Sequence, residues 1–371
     1  VAASLDALFA GIEPAVVVSN SQTMAELVRD VDYTVAYLDN AAVGTATAII
    51  NGINNYDGES ASVQFQISLG GVTTAYYIIG GGAFDAENTS TISGEGAGSA
   101  ANNPVGWALE PDSTTRAIQG ITAGNAIYYV WTSRRVQSPP HSKNYSTPST
   151  SYIVVDTGCN WSITDRMRNR TLALSNLYVR AGASVTVQAP TYADGYENYR
   201  STYSGSYTLN DGGSIVFNTS REQYNHKLYT LAATVTGKGT IDMPSKSSYA
   251  YSAALENKIT GDLSGFTGNL RTWGSIAPVS VELVNANSNP GDPAPGETAY
   301  VVVTNGAAIK VDHDWTSPTN RIWILGDSGT PTINVAAGQT LYIKGDLVGS
   351  AGFNKTGEGT LVISGASPDF S

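Results

Sequence analysis

Between Ile333 and Gly365 the apolar residues come in alternating pairs: Ile333/Val335, Leu341/Ile343 and Leu361/Ile363. Small polar turns separate them, at Ala336–Gln339, Gly345-Asp346 and Thr356–Thr360. Each pair predicts a very short strand with one buried face, and each glycine-rich break a turn needing positive φ. Strands this short cannot make a core alone. They can if the chain coils and its turns stack, which is the logic of a β-solenoid. The pattern recurs imperfectly. Gly261-Asp262-Leu263-Ser264-Gly265 is echoed by Gly345-Asp346-Leu347-Val348-Gly349, and Thr236–Ile241 by Thr356–Leu361. Rung-like pairs begin after Tyr152, at Ile153/Val155, Leu172/Leu174, Leu177/Val179 and Val185/Val187.

The stretch GDLVGSAGFNKTGEGTLVISG resembles the autotransporter-associated β-strand repeat of bacterial passenger domains. In that family a G-D-L-x-G turn leads to an apolar residue and then K-x-G-x-G-T-L-x-L-S-G. Phe353, Lys355, Gly357, Gly359, Thr360, Leu361, Ile363, Ser364 and Gly365 fall on the pattern, and Gly261–Leu270 is similar to its start. The likeness is clearest at 333–365 and looser over about 170–330. It implies a right-handed β-helix on a bacterial surface and no particular activity.

The N-terminal third alternates with period two. Tyr33/Val35/Tyr37, Ala46/Ala48/Ile50 and Val63/Phe65/Ile67 predict three strands, with turns at Leu38–Asn40, Asn51-Gly52 and Asp57-Gly58. Turns at this spacing suggest a β-sandwich. Residues 12–68 resemble a bacterial Ig-like repeat. The matching positions are Asp32–Val35, Tyr37, Gly44–Thr47, Gly52, Asn55-Tyr56, Gly58, Phe65 and Ile67. Such modules serve as surface stalks and adhesive units. Ala2–Phe9 reads as a short helix or an ordered arm. Residues 69–135 read as a second small β domain or as strands finishing the first, with runs Ala75–Ile79 and Ala126–Trp131 and a long loop at Ser93–Asn103. Val136–Ser151 reads as a linker or an exposed crossing.

Charged residues make up only 14%, against 39 glycines and 21 tyrosines, the profile of an extracellular β protein. The net charge of −11 argues against nucleic acid and anionic membranes. No apolar run approaches the ~20 residues of a membrane helix. The chain opens at Val1 without a charged n-region and reads as a mature protein or an excerpt. The single cysteine, Cys159, forbids an intrachain disulfide and reads as a small buried residue.

Candidate chemistry is sparse. Asp312-His313-Asp314 is the most enzyme-like cluster; on a strand its two carboxylates would share a face, for acid–base work on polysaccharides or for calcium. Solvated charge at a rung edge is the favoured reading. Asn285–Glu297 reads as a protruding loop, and Tyr192, Asp194–Glu197 and Tyr199 as an exposed cluster able to stack on sugars or a neighbouring subunit.

The expected fold is all-β: an N-terminal Ig-like β-sandwich domain or domains, then a right-handed β-helix (β-solenoid). The expected boundaries are an arm at 1–11, the Ig-like sandwich at 12–68, a second small β region and linker at 69–151, and the β-helix at 152–371. The expected function is non-enzymatic: an extracellular structural or adhesive surface protein that self-assembles end to end into a filament. The alternatives are a carbohydrate-binding adhesin and a β-helix polysaccharide lyase or glycosidase. No catalytic, cofactor-binding or metal residue is assigned. The expected partners are further copies, surface glycans or other surface proteins, without nucleic acid or membrane insertion.

Overall fold

The computed structural model describes residues 2–3, 5–41, 43–79, 106–111, 113–137, 144–165, 167, 169–188, 198–222, 225–245, 255–274, 278–326, 329–350 and 352–367. The loop expected at Ser93–Asn103 and the cluster at Tyr192 and Asp194–Glu197 lie outside them. The chain divides into two compact units. One comprises Val1–Ala75 and Gly124–Ile127, the other Tyr76–Ala123 and Tyr128–Ser371.

The first unit holds one sheet. Strands β2 (Tyr33–Leu38), β3 (Gly44–Gly52) and β4 (Ser60–Leu69) form an antiparallel meander, and β1 (Ala2–Ala3) joins β4 in parallel. A short helix, α1 (Leu5–Ala10), follows β1. The three expected strands are present, and one of their faces packs with Leu8 and Ile12 through Ala46, Ile67 and Phe65. The expected Ig-like sandwich is not borne out: among the described residues no second sheet faces this one. The reason lies in the outward face. Thr34, Thr45, Ser62, Gln64 and Gln66 are exposed and polar there, so no second layer is needed to cover them. The inner face is crossed by the extended run 12–18, whose burial alternates residue by residue.

The second unit is a β-solenoid of about 7 turns. Most rungs place one strand in a 15-stranded sheet and one in a 9-stranded sheet; the last three turns add a 3-stranded sheet. Successive turns pair in parallel with an offset of roughly 20–31 residues, inside the solenoid range. Alternation along each strand turns every second side chain inward, and parallel stacking aligns those side chains into columns. In the large sheet one column runs Leu172, Tyr203, Leu231, Ile259, Leu283, Val311, Val335. In the second sheet Trp161, Val185, Ile215, Ile241, Leu270, Val301, Trp323 and Leu347 stack in the same way. All of these are buried. Each aliphatic member contributes about 1.5–3 kcal/mol relative to exposure, so the columns hold the coil together.

The sheets extend N-terminally beyond 152. Strands Thr74–Ile79, Gly106–Ala108 and Ala126–Val130 belong to the large sheet, and Arg134–Gln137 to the second. The described part of 69–151 therefore does not form a sheet of its own. Tyr76 stacks on Tyr128 and Tyr77 on Tyr129, at ring separations of 5.2 and 5.3 Å, so the aromatic runs are a ladder inside this sheet. The two ends of the large sheet differ. Gly106–Ala108 closes the N-terminal end antiparallel to Thr74–Ile79, whereas the C-terminal end finishes on a parallel strand.

Candidate functional site

The C-terminal rung is where the repeat stands exposed. Strands Leu347–Val348, Asn354–Thr356 and Thr360–Ile363 are the outermost members of the three solenoid sheets. The Leu347 N–H donates to Ala366 O at 3.2 Å, so the chain itself meets the outer edge of the first; the other two have one edge lacking a partner strand among the described residues. In the 3-stranded sheet the columns rise into this rung and lose their cover, whereas Leu347 in the second sheet stays buried. Leu341 and Ile343 are fully buried, while Leu361 above the first is half-buried and Ile363 above the second is 37% exposed. A third column ends in a charge. Val281, Ile309 and Ile333 are buried apolar residues in register, and the next position is Lys355. Its ammonium donates to the carbonyls of Thr356 and Gly357, at 2.8 and 2.9 Å. A charge on an edge strand discourages indiscriminate pairing, and Lys355 holds that place where the apolar column would continue.

The polar clusters named from sequence have structural roles. Residues 312–314 are not a strand; they form the corner between strands Ala308–Val311 and Trp315–Ser317. Asp314 Oδ1 accepts the Thr340 N–H at 2.7 Å, and His313 Nε2 contacts Asn289 Oδ1 at 2.8 Å. Burial pushes His313 below its ordinary value. The expected protruding loop at Asn285–Glu297 is folded down at several points: Ser288, Pro290 and Pro293 are buried. It is pinned by Arg321, fully buried, whose guanidinium donates to Gly268 O at 2.8 Å and Gly291 O at 2.7 Å. Desolvation lowers Arg321 to about 10, opposed by Asp292. Cys159 is buried and desolvation raises its thiol, as suits a small core residue.

Sequence reasoning missed one cluster. On the outer side of the large sheet Lys258 pairs with Glu282 at 2.6 Å and with Glu256 at 3.4 Å, and Lys310 also meets Glu256. The register aligns Lys258, Glu282 and Lys310 in one row. The hydrogen bond to Glu282 holds Lys258 above its ordinary value. Arg200 donates to the Glu256 carbonyl at 2.8 Å. Both carboxylates are engaged by ammonium groups, the arrangement of an ion-pair network rather than of two carboxylates free for glycoside chemistry. Turn length varies from rung to rung, so linear spacing did not reveal the row.

The first unit carries a groove of about 570 Å³ between residues 18–27 and the inner face at Tyr33, Ile50 and Ala61, with Asp32 and Glu59 among its lining residues. Among the described residues no group of three or more His, Cys, Asp or Glu is placed to hold a metal ion. Among them no helix is long and apolar enough to cross a membrane. No protein-family model, curated protein or solved structure matches the chain.

Proposed function

We propose that this chain is a non-enzymatic structural or adhesive protein of the bacterial surface, in which a right-handed β-helix joins end to end with further copies into a filament. The observation that carries the reading is the C-terminal rung, where Asn354–Thr356 and Thr360–Ile363 each have an edge without a partner strand among the described residues and the half-covered Leu361 and Ile363 stand on fully buried columns. Unpaired parallel edges above a continuing apolar column are templates for strand addition. A heterologous contact of this kind repeats indefinitely unless its rotation closes a ring. The composition supports an extracellular setting: 14% charged residues, 39 glycines and 21 tyrosines. The resemblance of 333–365 to passenger-domain repeats and of 12–68 to bacterial Ig-like modules points to the same place.

The test is negative-stain electron microscopy and sedimentation of the full chain over a range of concentrations. Fibres with a subunit-sized axial repeat are expected. Isolated rods that stay monomeric at every concentration would overturn the reading.

A further inference from the structure

The N-terminal unit covers its sheet with a layer only one strand wide. Along the extended run 12–18, IEPAVVV, the even-numbered residues turn toward the sheet, while Glu13, Ala15 and Val17 are exposed. In an extended chain the main-chain polar groups alternate between edges as the side chains alternate between faces. One edge is sealed. Asn40 Nδ2 donates to Ile12 O at 3.3 Å, the Tyr37 hydroxyl to Pro14 O at 2.7 Å and the Tyr33 hydroxyl to Val16 O at 3.1 Å. Tyr33 and Tyr37 belong to β2, at one margin of the strand order β1-β4-β3-β2, so the opposite edge of the run faces the β4 side. There the N–H and C=O groups of Glu13, Ala15 and Val17 make no hydrogen bond among the described residues. The sheet is bare on that side too. Ala48 and Ile50 of β3 are buried, but their register partners on β4, Val63 and Ala61, are exposed, Val63 at 48%. The groove in this unit continues the bare strip: Ile50 and Ala61 line it, together with Val18 at the end of the run.

We propose that this gap takes an extended segment of a partner protein, apolar at alternate positions and carrying Lys or Arg, added as a strand beside Glu13–Val17. The site rests on the adhesive part of the reading above and is independent of end-to-end growth. Main-chain pairing supplies affinity in such strand addition, and side-chain contacts supply choice. Only every second residue of a strand bonds toward a given edge, so a segment of about five to seven residues satisfies all three open positions. Its alternate side chains then point to the sheet and cover Ala61 and Val63. Charge sets the rest. Residues 1–75 carry eight carboxylates against one arginine, Arg29. Asp32 and Glu59 line the groove, and no Lys, Arg or His does. Asp32 Oδ2 already accepts the Val28 N–H at 2.9 Å, which leaves its Oδ1 and Glu59 for the ligand. A cationic side chain entering at the Val17 end lays its aliphatic stem on Ile50 and Ala61 and keeps its charge at the acidic rim. A sugar fits worse, because Tyr33 is only 4% exposed and offers no ring face for stacking.

The test uses the full chain and a labelled heptapeptide of alternating lysine and valine. Binding is expected, with amide hydrogen exchange slowed at 13–17. The same peptide with glutamate for lysine, and one N-methylated along its backbone, are each expected to bind roughly tenfold more weakly. Val63→Lys and Glu59→Lys, both at exposed positions, are expected to weaken the lysine peptide by a similar factor. Thr34→Lys, on the outer face of the sheet, adds the same charge as Val63→Lys and is expected to change little. No binding, no slowing of exchange at 13–17, or equal weakening by Val63→Lys and Thr34→Lys would overturn the site and leave end-to-end assembly standing. Slowed exchange at 13–17 that grows with protein concentration alone would put a second copy in the gap, and protection by cellohexaose instead of the peptide would put a glycan there; either overturns the assignment. Peptide binding by a chain that forms no fibres would uphold this site and remove the filament.

Discussion

At the scale of single residues, short polar side chains fill gaps in the ladder. Where a turn leaves an N–H without a carbonyl from the turn before, an Asn or Asp supplies the acceptor: Asn144 to Thr171, Asn169 to Arg200, Asn269 to Tyr300 and Asp314 to Thr340. The Asn144 and Asn169 oxygens thereby serve the fold. Asp314→Ala is expected to lower stability by about 1 kcal/mol, and Asp314→Asn by much less because its amide oxygen keeps the bond. Urea denaturation of the two variants checks this; equal losses would count against the capping role. Arg321 does a larger version of the same task. Replacing it with Met leaves two buried carbonyls unmatched, at an expected loss of about 2–4 kcal/mol. Its signature is local: limited proteolysis is expected to cut first within 285–297, the segment that Arg321 pins, and unchanged cleavage there would refute the anchor.

Element by element, the sequence was legible wherever alternation met tight turns. Ile333/Val335, Leu341/Ile343 and Leu361/Ile363 are strands with the inward residues expected, because period-two patterning and glycine turns fix both face and limits. Strands Leu347–Val348 and Asn354–Thr356 were not legible as strands, since they are too short to alternate and hold their place by pairing with earlier turns. Leu172/Leu174 and Leu177/Val179 read as two strands but form one, Thr171–Val179, with a register shift between Leu174 and Asn176. The facing residue explains how the sheet absorbs it. Gly205 sits at φ +120°, and a Cβ there would lie 1.9 Å from the Leu174 carbonyl oxygen. Gly205→Ala is expected to destabilise by roughly 2–4 kcal/mol through strain and displaced backbone. A thermal midpoint unchanged from the parent would show that the bulge can relax. The Ig-like reading placed most of the inward residues, Val63 at 48% exposure being the exception, and its second layer is not found among the described residues, because alternation tells which face is apolar and not what covers it.

For the molecule as a whole, the interior sets an alkaline limit and the proposed assembly has a direction that can be measured. Burial raises Tyr128 to about 12 and pushes Tyr203, Tyr207 and Tyr229 upward as well. These hydroxyls keep their protons to a higher pH when folded than when unfolded. Above the ordinary tyrosine value of about 10 the unfolded chain therefore binds fewer protons, and stability present below that pH drains away as pH rises toward the folded values. Absorbance at about 295 nm against circular dichroism is expected to show exposed tyrosines ionising first and a last group ionising together with loss of the β signal. Smooth titration of every tyrosine with the fold intact would contradict this interior. Growth direction leaves a different trace. About 7 turns at ~4.8 Å give the solenoid an axial length of roughly 34 Å, with its strands lying across that axis. Under the proposed end-to-end assembly, fibres in which successive solenoids stack along their own axes are expected to diffract at about 4.8 Å along the fibre axis. Molecules associating side by side would turn the strand stack away from that axis and move the reflection off the meridian. One diffraction pattern from oriented material thus distinguishes strand addition at the tip from lateral bundling.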